Sequence, residues 1–148
     1  MTETRNTTVH PVFMALLSAC FGFLFYGGWG YLVNAHHGYE MATMVFMVQG
    51  SYSFFLTLIM TGLIEVVYSG IERLMRRSGV ASLSGLQQSL LVWSTIGVSC
   101  FVVFFGSWYV NVMAGTPEIW TTVLLGYVIG GLYTIAYVFA LNRRRLAV

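Results

Sequence analysis

Charge is what this sequence has least of. Only 8% of its 148 residues are Asp, Glu, Lys or Arg, against about 25% in an ordinary soluble domain. Too little polar surface exists to face water all round, so a soluble globular fold is excluded. Lysine is absent, and all seven basic residues are arginine. Cysteine occurs twice, at Cys20 and Cys100, inside apolar runs. There a thiol behaves as a small apolar group, and neither a disulfide nor a metal–sulfur centre is expected. Proline also occurs twice, at Pro11 and Pro117, and both sit where apolar runs begin. No Walker-type loop, dinucleotide fingerprint or nucleophile–base pair is present. "GYVIGG" lies within an apolar run, the wrong context for phosphate. No cofactor, metal, catalytic residue or nucleic-acid partner is expected, and an enzyme is the least supported class.

What remains is 57% apolar and 16% aromatic. A membrane-spanning helix needs roughly 20 mainly apolar residues, and four segments qualify. They cover about 12–34, about 40–69 with a polar extension to 78, about 85–112, and about 117–142. The fold class is therefore an all-α integral membrane protein, one domain of four transmembrane helices in a tight bundle. The first run is expected to be retained, because no small-residue cleavage site follows it.

The arginines set the orientation. Arg5 precedes helix 1, Arg73, Arg76 and Arg77 join helices 2 and 3, and Arg143, Arg144 and Arg145 follow helix 4. The other two connections contain none. The positive-inside rule then puts both termini in the cytoplasm, with the bacterial inner membrane as the expected location. Trp29, Trp108 and Trp120 with Tyr31, Tyr39 and Tyr109 fall near the opposite boundary, as an aromatic belt would.

Helix ends carry their own signals. "SGLQ" at Ser84–Gln87 fits a capping box. "GTPEI" offers Thr116 as N-cap, Pro117 as first helical residue and Glu118 in the first turn of helix 4. Glu72 and Arg76 form a favourable i,i+4 pair in an extension of helix 2 expected to stop near Gly79. A shift of 78 residues aligns Phe23, Gly28, Tyr31, Glu40, Thr43 and Val45 with identical residues of the second half. Two readings stand, a parallel duplication of one helical hairpin or a coincidence of membrane composition.

Spacing is the most informative pattern. In helix 2 every fourth residue is polar: Gln49, Ser53, Thr57, Thr61, Glu65, Ser69, Arg73, Arg77. Related ladders run through Ser18, Gly22, Tyr26, Gly30 and Asn34 in helix 1, Thr95, Ser99, then Val103, then Ser107 and Asn111 in helix 3, and Thr122, Gly126, Gly130 and Thr134 in helix 4. In lipid, helices associate through small residues and through polar groups that need partners. Gly22, Gly30, Gly126 and Gly130 are accordingly expected at helix contacts. Seams of that tightness leave little room for a pathway inside the bundle.

Glu65 is the one acid that lies in a span away from its first turn. An ionisable group there marks function by default, but it lies close to the arginine-bearing boundary. It is expected either to anchor or pair, with an arginine at the end of helix 4 as one partner, or to couple a proton or cation. His36, His37 and Glu40 could together bind a metal weakly, but they lack the ligand count of a known site and read as a solvated loop. Small multidrug exporters carry their key glutamate in the first helix, where this chain has none, and no family is recognised. The expected function is a small transport-type protein acting as an oligomer on a small-molecule or lipid-linked substrate, with Glu65, Gln49, Thr57, Thr61 and Ser53 as pathway or coupling residues. The alternative is an accessory subunit of a larger membrane complex. Membrane lipids, further copies or other membrane subunits are the expected partners.

Overall fold

A computed structural model describes residues 11–77 and 83–147. Four helices account for nearly all of them: α1 Pro11–Asn34, α2 Tyr39–Arg76, α3 Gly85–Met113 and α4 Ile119–Leu146. All four are long and apolar enough to cross a membrane. Arg5 and the expected stop near Gly79 lie outside the described residues.

Local chemistry explains the ends. A 3-10 turn, Ala35–His37, leads into Gly38 at φ +100°. That backbone conformation needs a glycine, and it turns the chain from α1 into α2. Ser84 caps α3 through the capping box, its side chain accepting from the Gln87 amide while the Gln87 side chain accepts from the Ser84 amide. α3 ends in a Schellman turn. The Thr116 amide donates to the Asn111 carbonyl and the Gly115 amide, at φ +69°, to that of Val112, both at 3.0 Å. This corrects the expected start of helix 4. Thr116 and Pro117 belong to the turn, and α4 starts at Ile119, after Glu118. The Thr116 hydroxyl donates to Asn111 Oδ1 instead of capping α4.

The helices alternate in direction, so one end carries the described arginines and the other carries none. α2 packs on α1 and α3 and meets α4 across the bundle, while α1 and α3 do not touch among the described residues. α1 and α2 make the closest seam. A Cβ on Gly27 would lie 2.8 Å from the Phe46 carbonyl oxygen, and one on Gly50 would lie 2.9 Å from that of Phe23. The Phe23 and Phe46 rings meet edge to face at 5.3 Å.

The apolar core comes from the other three helices, around Ile64, Tyr68, Leu91, Ile96, Val103 and Val138. α1 contributes nothing to it, and residues 12–18 of α1 are all exposed. Large apolar side chains cover the outside, including Phe21, Leu32, Val66, Phe101 and Leu132. Buried polar side chains include Asn34, Gln49, Thr95, Ser99, Asn111 and Thr122. This apolar-out, polar-in arrangement suits lipid as solvent, where polar groups rather than leucines seek the interior.

Candidate functional site

The α2 ladder turns as it descends. Each step of four residues advances about 40° beyond a full turn. Gln49 and Ser53 therefore point inward and are buried, while Thr57, Thr61 and Glu65 are exposed. The lower rungs face α4. Thr61 Oγ1 and the Tyr133 hydroxyl lie 3.0 Å apart, the Tyr137 hydroxyl donates to Glu65 Oε1 at 2.8 Å, and Arg145 donates to Ser69 Oγ at 3.4 Å. The side chain hydrogen-bonded to Glu65 is thus a phenol. The α4 arginine that reaches α2 meets Ser69, one turn further down.

Inside the bundle lies a cavity of about 590 Å³. Its walls include Ala15, Ser18 and Tyr26 from α1, Gln49, Ser53, Thr57 and Thr61 from α2, Ser107 from α3, and Gly126, Gly130 and Tyr133 from α4. The expectation of little room inside the bundle is therefore corrected: a cavity stands between the helices. The glycines supply the reason. A Cβ on Gly126 would meet only Tyr26, at 3.9 Å, and one on Gly130 would meet nothing within 4 Å. On α4 the missing side chains leave space, whereas on α1 they admit a neighbour. A Cβ on Gly22 would lie 3.0 Å from Thr57 Oγ1, and one on Gly30 3.1 Å from Val45. Four of the five expected pathway residues line the cavity, and Glu65 does not. Ala15, Ser18, Ile129 and Tyr133 are exposed, so the wall between α1 and α4 is where the cavity meets the surroundings.

A relay of amides orients the buried end. The Thr116 hydroxyl donates to Asn111 Oδ1 at 3.0 Å. Asn111 Nδ2 donates to Gln49 Oε1 and to the Ser107 carbonyl, each at 2.9 Å. Gln49 lines the cavity, and with its oxygen so occupied the amide nitrogen is its remaining polar atom. Gln49 is 2% exposed, and that nitrogen has no acceptor among the described residues. Ser53 and Ser107, also buried, have hydroxyls with no partner among those residues. The Tyr52 and Tyr127 hydroxyls are taken by the Val103 and Phe104 carbonyls. The cavity thus offers several free donors and no formal charge, within apolar walls. Its size is that of a small-molecule pocket.

Comparison with family models, with curated proteins and with solved structures finds no match to this chain. What the cavity can hold is therefore read from its own donors and walls. They suit an uncharged group, or the acceptor-bearing part of an amphipathic molecule, better than a free ion.

Two further polar clusters tie the helices together. At the arginine-bearing end the Asn142 oxygen accepts from the Tyr68 hydroxyl at 2.8 Å and from the Gln88 amide. At the other end Asn34 Nδ2 donates to Thr122 Oγ1 at 2.8 Å and to the Gly30 carbonyl. Asn34 Oδ1 accepts from the Glu118 amide, which brings Glu118 beside His36 and His37. The acid next to the histidines in space is thus Glu118, not the Glu40 that is near them in sequence. Ser107 and Asn111 were visible as rungs of the α3 ladder. Tyr133 and Tyr137 gave no such signal, because tyrosines on a span read as ordinary wall or belt residues.

Proposed function

We propose that this chain is a small polytopic membrane protein of transport type, which holds an uncharged or lipid-linked molecule in the cavity between α1, α2 and α4. The observation that carries this reading is Gln49, on the cavity wall, with its oxygen engaged by Asn111 and its amide nitrogen without an acceptor among the described residues. A donor on the cavity wall with no protein acceptor is open to a ligand, and a hydrogen bond made there contributes about 0.5–1.5 kcal/mol net. Entry is sideways, between α1 and α4, and the molecule keeps its apolar part in lipid. The grouping of the arginines at one end supports a cytoplasmic location for both termini. Asn34 and Asn111 each bond back to the carbonyl four residues earlier and across to the other hairpin. That likeness is one of bonding pattern alone, since its spacing of 77 residues falls outside the ungapped 78-residue register. Glu65, beyond the cavity wall and exposed, is assigned to the mouth of the pathway and not to ligand contact.

Native mass spectrometry of protein released from lipid nanodiscs tests the proposal. Gly130 lines the cavity and a Cβ there meets nothing within 4 Å, so Gly130→Leu is chosen to take up cavity space. A mass adduct present on the wild type and lost from this variant is expected. An adduct retained by the variant, or none on either, refutes the reading.

A second reading, an accessory subunit, draws on the exposed rungs Thr57, Thr61 and Glu65. A polar strip on an otherwise apolar surface suits a partner helix. Stoichiometric co-purification of another membrane chain, lost on Glu65→Leu, is its expected sign, and a lone homo-oligomer goes against it.

A further inference from the structure

We propose that His36, His37 and Glu118 form a binding site for a divalent transition metal of the zinc type, which staples the α1–α2 turn to the start of α4. The potential ligand atoms of these three side chains all lie within 4.8 Å of one another. His36 Nε2 is 3.8 Å and His37 Nε2 is 3.6 Å from the same oxygen, Glu118 Oε1. Bonds of about 2.0–2.2 Å in a tetrahedral zinc site place neighbouring ligand atoms roughly 3.4 Å apart. The two histidine–glutamate distances therefore need to close by only a few tenths of an ångström, and the remaining distance by at most about 1.4 Å. All three are partly or largely exposed, so rotamer adjustment is cheap and an aqueous ion has access.

The backbone already holds the donors together. His36 and His37 occupy the 3-10 turn that follows Asn34 directly. Asn34 is fully buried, accepts from the Glu118 amide at 3.2 Å and donates to Thr122 at 2.8 Å. One buried amide thus fixes both chain segments that carry the ligands. The described arginines lie at the opposite end of the bundle, so none competes for the carboxylate. Two imidazoles and one carboxylate are borderline donors suited to zinc, copper or nickel rather than calcium or magnesium. Three protein ligands leave one position for water.

Glu40 supplies the control. It neighbours the histidines in sequence but stands outside the cluster. Tag-free protein in detergent is titrated with Co²⁺, read by visible absorption, and with Zn²⁺, read by calorimetry. The expected result is one ion per chain with the spectrum of four-coordinate cobalt. Glu118→Gln is expected to weaken binding about tenfold or more, since even the loss of an outer partner costs that much at a metal centre. Glu40→Gln is expected to bind as the wild type does. Zn²⁺ should also raise the unfolding temperature of the wild type but not of Glu118→Gln, a readout independent of any spectrum. Absence of binding, equal binding by wild type and Glu118→Gln, or binding lost in Glu40→Gln would each overturn the proposal. Circular dichroism of each variant shows that it is folded before titration.

Discussion

The seam between α1 and α2 predicts that two glycine-to-alanine changes, identical in chemistry, have opposite effects. At Gly50 the added methyl would sit 2.9 Å from the Phe23 carbonyl oxygen and 3.0 and 3.1 Å from two of its ring carbons. The backbone cannot swing away, and the ring is held edge-on by Phe46. The helices must therefore separate by roughly half an ångström, a gap that already forfeits a quarter or more of each dispersion contact along the seam. Overpacking of this kind costs about 1–3 kcal/mol, against which alanine regains about 0.5–1 kcal/mol of helix propensity. Gly50→Ala is expected to lose about 1–2 kcal/mol on those two terms. At Gly130 the same methyl meets nothing within 4 Å, so only the gain of about 0.5–1 kcal/mol remains. Gly27→Ala should behave like Gly50→Ala, its methyl 2.8 Å from the Phe46 carbonyl oxygen. Because one separation of the helices relieves both clashes, the double variant should cost less than the sum of the singles. Denaturant unfolding in micelles measures all four. The reasoning fails if Gly50→Ala is as stable as Gly130→Ala, or if the two seam variants are additive.

Three other outcomes are expected. Asn142→Leu leaves the Tyr68 hydroxyl and the Gln88 amide without their shared acceptor, so unfolding experiments should show a loss of about 1–3 kcal/mol. Tyr137→Phe removes only the donor to an exposed carboxylate, and its effect on unfolding should stay within about 0.5 kcal/mol. A single cysteine at position 144, in a chain whose Cys20 and Cys100 are replaced by alanine, should react with an impermeant maleimide in inverted vesicles and not in intact cells. Labelling in intact cells would reverse the orientation.

Much of the architecture was legible because membrane spans are written in composition. Run length located all four helices, and the Ser84 cap could be read because its two partners are three residues apart. The start of α4 was misread because Thr116 served a more distant need. Its hydroxyl answers Asn111, and Gly115 closes α3 by a turn that takes up the residues a cap would have used. The ladder identified Gln49, Ser53, Thr57 and Thr61, yet spacing alone could not say whether α4 glycines admit a helix or leave a void. That depends on which neighbour stands opposite. Gly27 and Gly50 went unnoticed for the same reason, since neither extends a ladder. The meeting of His37 with Glu118, 81 residues later, belongs to the packing of α1 on α4 and leaves no local trace.

α2 runs 38 residues without a break, about 57 Å at 1.5 Å per residue. α1, packed along it, has 24, about 36 Å by the same rise. A hydrocarbon layer of about 30 Å can match the shorter helix with a modest tilt. The longer one would need to lean by almost 60°, well beyond the tilts of up to about 40° seen in membranes. Their ends coincide at the α1–α2 turn, so the surplus of about four turns falls wholly on the arginine-bearing side. In a bilayer matched to α1, the charged last turns of α2, with Glu72 bridged to Arg76 at 3.0 Å, would stand clear of the lipid tails as a rigid post. The headgroup layer on that side would then meet a fixed object, continuous in one helix with the wall of the cavity.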